Sequence, residues 1–108
     1  MGYYSAAEGT NSAAFGNNTI SQEFSSFVIG NYNTFSSNVD LDPVLYSQYY
    51  NSHNRAFVIG NGTDENNRSD ALTVLFDGTT NVAGSVTATA FIGDGSQLTN
   101  LTSNSPFS

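Results

Sequence analysis

Glycine spacing is the feature that most constrains what this chain can fold into. Over the first third of its 108 residues, glycine recurs at Gly2, Gly9, Gly16 and Gly30, all multiples of seven apart, and only Glu23 interrupts the series. A short fixed period with one glycine per unit is typical of a β-solenoid, in which coils stack and only glycine fits the corner. An α-helical heptad repeat is excluded because Gly, Asn, Ser and Thr dominate and the pattern of core leucines is missing.

The true repeat consists of two seven-residue arms. Divided on the glycine frame, the sequence reads GYYSAAE, GTNSAAF, GNNTISQ, EFSSFVI and GNYNTFS, and the fourth position is always small or polar. The last position alternates between apolar residues (Met1, Phe15 and Ile29) and polar residues (Glu8, Gln22 and Ser36). We therefore predict fourteen-residue coils whose apolar arm ends are buried and whose polar arm ends are exposed. Met1 continues this frame, which favours a piece excised from a longer polypeptide.

A duplicated segment indicates an insertion in the coil stack. FVIGN occurs at Phe27–Asn31 and again at Phe57–Asn61, where Gly60 restores the glycine frame. The thirty residues between the copies are two more than two full repeats. The simplest explanation is one coil plus an inserted loop at about residues 36–54.

The insertion carries the best candidate for a binding site, because it concentrates aromatic and acidic side chains. The candidate ligand-binding residues are Asp40, Asp42, Tyr46, Tyr49, Tyr50 and His53. Aromatic faces stack on sugar rings, and tyrosine also suits protein recognition at low entropic cost. The alternative, which we favour slightly, is that the rings cover the edge of the coil or pack against a neighbouring subunit. Arg55, directly after the loop, is expected to pair with acidic side chains rather than with a ligand.

Two carboxylates in VDLDP are too few by themselves for a calcium site, so no metal site is predicted at Asp40 and Asp42 in the single chain. A ring of these residues around the axis of a trimer is the alternative that could hold an ion. The expected structure there is a solvated turn in which Asp42 is extended before Pro43. Two further acidic pairs, Asp64 with Glu65 and Asp77 with Asp94, lie beside Gly or Asn and are expected to bind backbone amides in turns.

After Arg55 the periodicity changes. ALTVLF (71–76), the Asp77–Gly78 turn and a strand near 81–82 predict a hairpin. SVTATAFI (85–92) alternates in polarity and predicts a further strand. A short helical turn is expected near Leu98 and Leu101, with Asp94 or Ser96 as its cap. We predict two domains, a coiled head at 1–62 and a β-stem at 63–108 that ends in this turn.

Composition excludes several functions. The chain has no lysine, two arginines and nine acidic residues, giving a net charge of −7. This balance argues against nucleic acid and against anionic membrane surfaces. No apolar run is long enough to insert in a bilayer, and no cysteine is present. A Ser-His-Asp triad would have to recruit His53, the only histidine, from a loop, and neither GNGTDENN nor GDGS has the pattern of a nucleotide-binding loop. No catalytic residue and no cofactor is predicted.

Two stretches resemble known fibre modules. Residues 2–35 are similar to the head repeats of trimeric autotransporter adhesins, the YadA-like head, through SAAFG at 12–16 and SFVIG at 26–30. This resemblance departs at Glu23 and at the insertion, and it resumes near 57–61. Residues 71–101 resemble a stem module of phage and phage-like tail fibres, most specifically in FIGDGSQLTNL.

The resemblance implies an all-β homotrimer, with left-handed parallel β-roll coils around a threefold axis followed by an intertwined β-strand stem. A homotrimer is also expected on physical grounds, because a stack of coils with an exposed apolar flank can bury that flank when identical copies close into a ring. We therefore expect a non-enzymatic segment of an extracellular fibre, on a bacterial cell surface or a phage-like tail, that attaches to a glycan or protein receptor. The alternatives are a fragment of a polysaccharide-degrading tailspike and a pure structural spacer.

Overall fold

Short strands build almost all of the regular structure. The computed structural model describes residues 2–36 and 42–100, and the predicted all-β class is confirmed. The elements in chain order are β1 (Gly2–Tyr3), β2 (Ala6–Ala7), β3 (Ala13–Ala14), β4 (Gly16–Asn17), β5 (Ile20–Ser21), β6 (Phe27–Asn31), α1 (Pro43–Gln48), β7 (Arg55–Asn61), β8 (Asp70–Leu75) and β9 (Thr80–Val82). Among these residues, seven strands form one sheet, and β2 and β5 form a second.

The parallel pairs among β1 to β6 share one offset along the chain. Gly2 of β1 pairs with Gly16 of β4, and Asn17 of β4 pairs with Asn31 of β6. In the second sheet, Ala6 of β2 pairs with Ile20 of β5. Each pair is fourteen residues apart, so the chain returns to the same lateral position once per repeat. The predicted fourteen-residue period is confirmed.

Glycine is required where successive repeats touch through their backbones. Gly16 has φ +121°, and a Cβ there would lie 2.1 Å from the carbonyl oxygen of Gly30. Gly2 and Gly30 also have positive φ, +117° and +105°, and a Cβ on either would clash with the backbone of the glycine paired with it, Gly16 and Gly60 respectively. Both backbone conformation and space therefore exclude larger residues at these positions.

The interior between the two sheets is largely polar. At the fourth position of the arms, Thr19, Ser26 and Asn33 are buried, and Ser5 and Ser12 are half-buried. Their side chains bond to neighbouring backbone groups: the Ser26 hydroxyl donates to the Glu23 carbonyl at 2.7 Å, and the Asn33 amide donates to the Ile20 carbonyl at 2.9 Å. These bonds compensate the loss of water around the polar groups.

A single column of small apolar side chains completes the interior. Ala14, Val28 and Val58 are the buried apolar residues of the described chain, and strand register places them one above another. Because strand side chains alternate between faces, their neighbours Phe27 and Ile29 point outward. The prediction that the apolar arm ends are buried was wrong for the single chain: Phe15 is 40% exposed and Ile29 is half-buried.

The residues on the other side of this alternation form an outer apolar face. Strand register aligns their side chains across β3, β6, β7, β8 and β9, and the Phe27 ring contacts those of Phe15 and Phe57 at 5.6 and 5.8 Å between centroids. The outer apolar face consists of Ala13, Phe15, Phe27, Ile29, Phe57, Ile59, Leu72, Val74 and Val82. None of these side chains is buried, and none is charged.

The duplicated FVIGN segments lie side by side. Phe27 pairs with Phe57 and Asn31 with Asn61 in parallel register. The intervening residues therefore span one coil plus an insertion, as predicted. Within the insertion, the helix α1 begins at Pro43, where only a turn was predicted. Asp42 before it is extended (φ −54°, ψ 135°), and its carboxylate accepts the Val44 N–H at 2.8 Å as an N-cap.

The predicted hairpin is confirmed. β8 pairs antiparallel with β7 and with β9, and the turn between β8 and β9 contains Asp77 and Gly78. The strand predicted at 85–92 is wrong for the single chain, where residues 83–95 have no regular structure and are exposed. A strand needs a partner for its backbone groups, and none pairs with this stretch within the described residues. In place of the expected helical turn, residues 96–97 form a non-helical turn in which the Leu98 N–H donates to the Gly95 carbonyl at 3.1 Å. Leu101 lies outside the described residues.

Candidate binding site on the insertion

A buried ion pair anchors the two ends of the insertion. Glu23, the residue that interrupts the glycine series, is fully buried. Its carboxylate accepts the Arg55 backbone N–H, lies 3.3 Å from Arg55 Nε, and accepts the Ser36 hydroxyl at 2.8 Å. Ser36 begins the insertion and Arg55 follows it. One carboxylate therefore fixes both ends of the loop.

Arg55 extends this network to the hairpin. Its Nη1 lies 3.6 Å from Asp70 Oδ2 and donates to Thr34 Oγ1 at 2.8 Å. The expectation that Arg55 pairs with acidic side chains is confirmed. Its partner Glu23 was missed, although the break in the glycine period was the available signal, since no other repeat places a carboxylate at that corner.

The coil also holds α1 through its last carbonyls. The Tyr46 carbonyl accepts the Phe24 N–H, and the Ser47 carbonyl accepts the Thr10 N–H, both at 2.8 Å. The Asn54 side chain donates to the same Tyr46 carbonyl at 3.1 Å. The final carbonyls of a helix have no hydrogen-bond donor within it, so N–H groups from turns of the coil act as the donors here.

The candidate site residues divide into two groups. Tyr46 is half-buried at the coil, whereas Tyr49 and Tyr50 are 59% and 61% exposed and His53 is also exposed. Tyr46 is therefore the more buried of the three rings, and the expected packing of Tyr49 and Tyr50 against a neighbouring subunit stays a prediction. Asp42 caps the opposite end of α1, and Asp40 lies outside the described residues.

The hairpin turn contributes two residues that sequence reasoning missed. The Phe76 ring meets the Tyr50 ring edge-on, with 5.3 Å between centroids. The Phe76 N–H donates to the Asn54 carbonyl at 3.0 Å, and the Asp77 N–H donates to the Ser52 carbonyl at 2.9 Å. The sequence carries no signal for this contact, because it depends on how β8 leaves the sheet.

The carboxylate of Asp77, the residue after Phe76, is exposed. It accepts the Thr79 N–H at 2.8 Å. The backbone and hydroxyl hydrogen bonds from Thr79 lower the pKa of Asp77 below 3.8, and the charge of His53 adds a smaller lowering. The carboxylate is therefore ionised at neutral pH.

Two of the other acidic residues bind backbone amides in turns, as predicted. Asp64 accepts the Asn66 N–H, and Asp94 accepts the Ser96 N–H, at 2.8 and 2.9 Å. Across residues 2–36 and 42–100, no group of three or more histidine and acidic side chains is placed to hold a metal ion.

Comparisons with known proteins found no matching family model, no matching curated protein and no matching solved structure. Within the described part of the chain, no helix has the length and apolar character needed to cross a membrane.

Proposed function

We propose that this chain is a non-enzymatic segment of a homotrimeric extracellular fibre that attaches to a glycan or protein receptor on a cell surface. The outer apolar face is the observation that carries the proposal. It presents aromatic and branched side chains in register from one repeat to the next, and Phe27 on it is 44% exposed. Contiguous apolar surface of this kind marks an interaction site.

Copies of the same chain suit this face as partners. The chain carries a net charge of −7, but none of its acidic residues belongs to the outer apolar face. Identical copies can therefore bring these faces together around an axis without burying like charges. We propose that the stacked repeats form a left-handed parallel β-roll in this assembly, as in the YadA-like heads that residues 2–35 resemble.

The unpartnered segment supports the same assembly. Residues 85–92 alternate in polarity yet are exposed in the single chain, and Ile92 is 101% exposed. Pairing with neighbouring copies would satisfy their backbone groups and bury one face of the strand. We propose that this segment forms the intertwined stem of the fibre.

Attachment is assigned to the insertion because Tyr49 and Tyr50 are exposed there and belong to no strand of the outer apolar face. Three copies of a weak site in one fibre can raise avidity by roughly 10² to 10⁴.

Two measurements test the proposal. Analytical ultracentrifugation should give three times the chain mass, and the fibre segment should be retained on cells that carry its receptor. Incubation with surface polysaccharide should leave chain length unchanged; shortening would favour the depolymerase alternative. A compact monomer that is not retained would overturn the proposal, and a trimer that is never retained would favour a spacer.

A further inference from the structure

We propose that Tyr50, His53, Phe76 and Asp77 form one site, the insertion–hairpin site, which binds an uncharged sugar ring. This inference rests on the proposed attachment function and names the chemical class of the receptor group. It joins two elements that are separate in sequence, the end of the insertion and the turn between β8 and β9.

The site offers a held aromatic surface. Phe76 contacts the Tyr50 ring edge-on at 5.3 Å, while Tyr50 remains 61% exposed. An aromatic ring supported on one side and open on the other provides an apolar face for the C–H groups of a sugar, and tyrosine loses little entropy on binding.

The two halves of the site are fixed before binding. Backbone bonds from Phe76 to Asn54 and from Asp77 to Ser52, at 3.0 and 2.9 Å, hold the hairpin turn against the insertion. A ligand therefore does not have to order either loop, which reduces the entropic cost of association.

The polar groups select a ligand that donates hydrogen bonds. The Asp77 carboxylate is exposed, and its residue follows Phe76 in the chain and bonds through its backbone N–H to Ser52 of the insertion. An ionised carboxylate only accepts hydrogen bonds, so the ligand must supply donors. Sugar hydroxyls provide such donors next to an apolar ring face.

The charges select against acidic sugars. The chain has two arginines and no lysine. Arg55 is buried with Glu23 and Asp70, and Arg68 Nη1 donates to the carbonyls of Asn18 and Asn33 at 3.1 Å. Neither guanidinium belongs to the site, whereas Asp77 would repel a sugar carboxylate. The fitting class is a neutral hexose or N-acetylhexosamine rather than a uronic or sialic acid.

Saturation-transfer NMR on the full chain tests this assignment. The probes are the methyl glycosides of glucose, galactose and N-acetylglucosamine, compared with glucuronic acid and sialic acid. We expect transfer to at least one neutral probe and to neither acid. Tyr50→Ala and Asp77→Asn should each weaken that binding about tenfold or more, corresponding to about 1.4 kcal/mol.

Tyr3→Ala is the matched control. Tyr3 is 65% exposed and also meets another ring edge-on, Tyr4 at 4.3 Å, but it lies in the first repeat. Binding of the neutral probe should be unchanged in Tyr3→Ala. It should also be retained in Tyr50→Phe, which keeps the aromatic ring and serves as the second test if Tyr50→Ala fails to fold. Equal binding of the acids, or equal loss in Tyr3→Ala, would overturn the site.

The outcomes separate this inference from the proposed function. A trimer that is retained on cells but binds no neutral probe would refute the sugar site and point to a protein receptor. A monomer that is not retained would instead refute the fibre proposal.

Discussion

At the scale of single residues, the backbone conformation repeats as strictly as the glycines do. Tyr4, Asn11, Asn18, Ser25 and Tyr32 all have positive φ between 42° and 59°, and each lies two positions after the first residue of its arm. Asparagine tolerates this conformation, whereas tyrosine and serine adopt it at a cost. The coil geometry therefore requires a positive φ at the third position of each arm, whichever residue lies there.

Gly16→Ala is predicted to be far more destabilising than Gly78→Ala. Both glycines have positive φ, but a Cβ at Gly16 would lie 2.1 Å from a backbone oxygen, while a Cβ at Gly78 meets nothing within 4 Å. Gly78→Ala should cost about 1–2 kcal/mol for conformation alone. Gly16→Ala adds the displacement of a neighbouring repeat and should prevent cooperative folding. Thermal unfolding measures both variants, and equal costs would contradict the stacked-backbone contact.

Sequence alone predicted the residues whose role is dictated by period. The corner glycines follow from the fourteen-residue repeat, and the register of the FVIGN copies follows from their identical sequence. Phe15 was assigned to the wrong side because polarity shows that a position is apolar but not what covers it. The interior selects small side chains such as Ala14, so the large apolar ones lie outside.

At the scale of elements, the insertion is a separate unit attached by buried charge. The Glu23 to Arg55 contact closes it where the coil frame is interrupted. A buried ion pair contributes little net stability compared with an apolar replacement, but removal of one partner leaves an uncompensated charge.

Glu23→Gly restores the glycine period and is nevertheless predicted to destabilise the chain. It leaves Arg55 buried with only Asp70 at 3.6 Å as an ionic partner. The expected cost is about 3–5 kcal/mol by chemical denaturation. Adding Arg55→Met should recover part of it, because the buried charge is then removed as well. A Glu23→Gly variant as stable as the parent would show that the pair does not anchor the insertion.

Acid should loosen the β8–β9 turn. Hydrogen bonds from Thr79 hold the pKa of Asp77 below 3.8 in the folded chain. Because the pKa of Asp77 is lower in the folded than in the unfolded chain, its ionised carboxylate stabilises the fold above pH 3.8, the unfolded pKa. This stabilisation is lost as the pH falls through the folded pKa. An NMR titration of the Asp77 carboxyl should give a midpoint below 3.8. Asp77→Asn should keep the turn and remove its acid sensitivity; a midpoint at or above the unfolded value would contradict this.

The contact between insertion and hairpin shows what sequence could not predict at this scale. Tyr50 and Phe76 meet because β8 runs antiparallel to β7 and ends beside the insertion. No local pattern encodes a meeting of elements so far apart along the chain. The aromatic cluster was identifiable from its composition, but its hairpin half was not.

At the scale of the whole molecule, polar and apolar surfaces are sorted by strand alternation. The interior is small and polar, the outer apolar face is large and open, and the insertion projects aromatic rings from a different edge of the coil. In the proposed trimer, copies of the chain would cover the outer apolar face, which matters because one stack of repeats contributes little apolar burial of its own.

Phe27→Asp is predicted to dissociate the proposed trimer without disrupting the interior. Phe27 lies at the centre of the aromatic series on the outer apolar face, while Val28 beside it points inward and is 1% exposed. Three copies would bring three carboxylates together in an apolar interface, at several kcal/mol of desolvation per charge. Tyr49→Asp adds the same charge at an exposed ring of the insertion and is the control. Ultracentrifugation should give three times 11.5 kDa for the parent and for Tyr49→Asp, and a lower mass for Phe27→Asp at equal concentration. If Phe27→Asp remains trimeric, the copies associate through another surface.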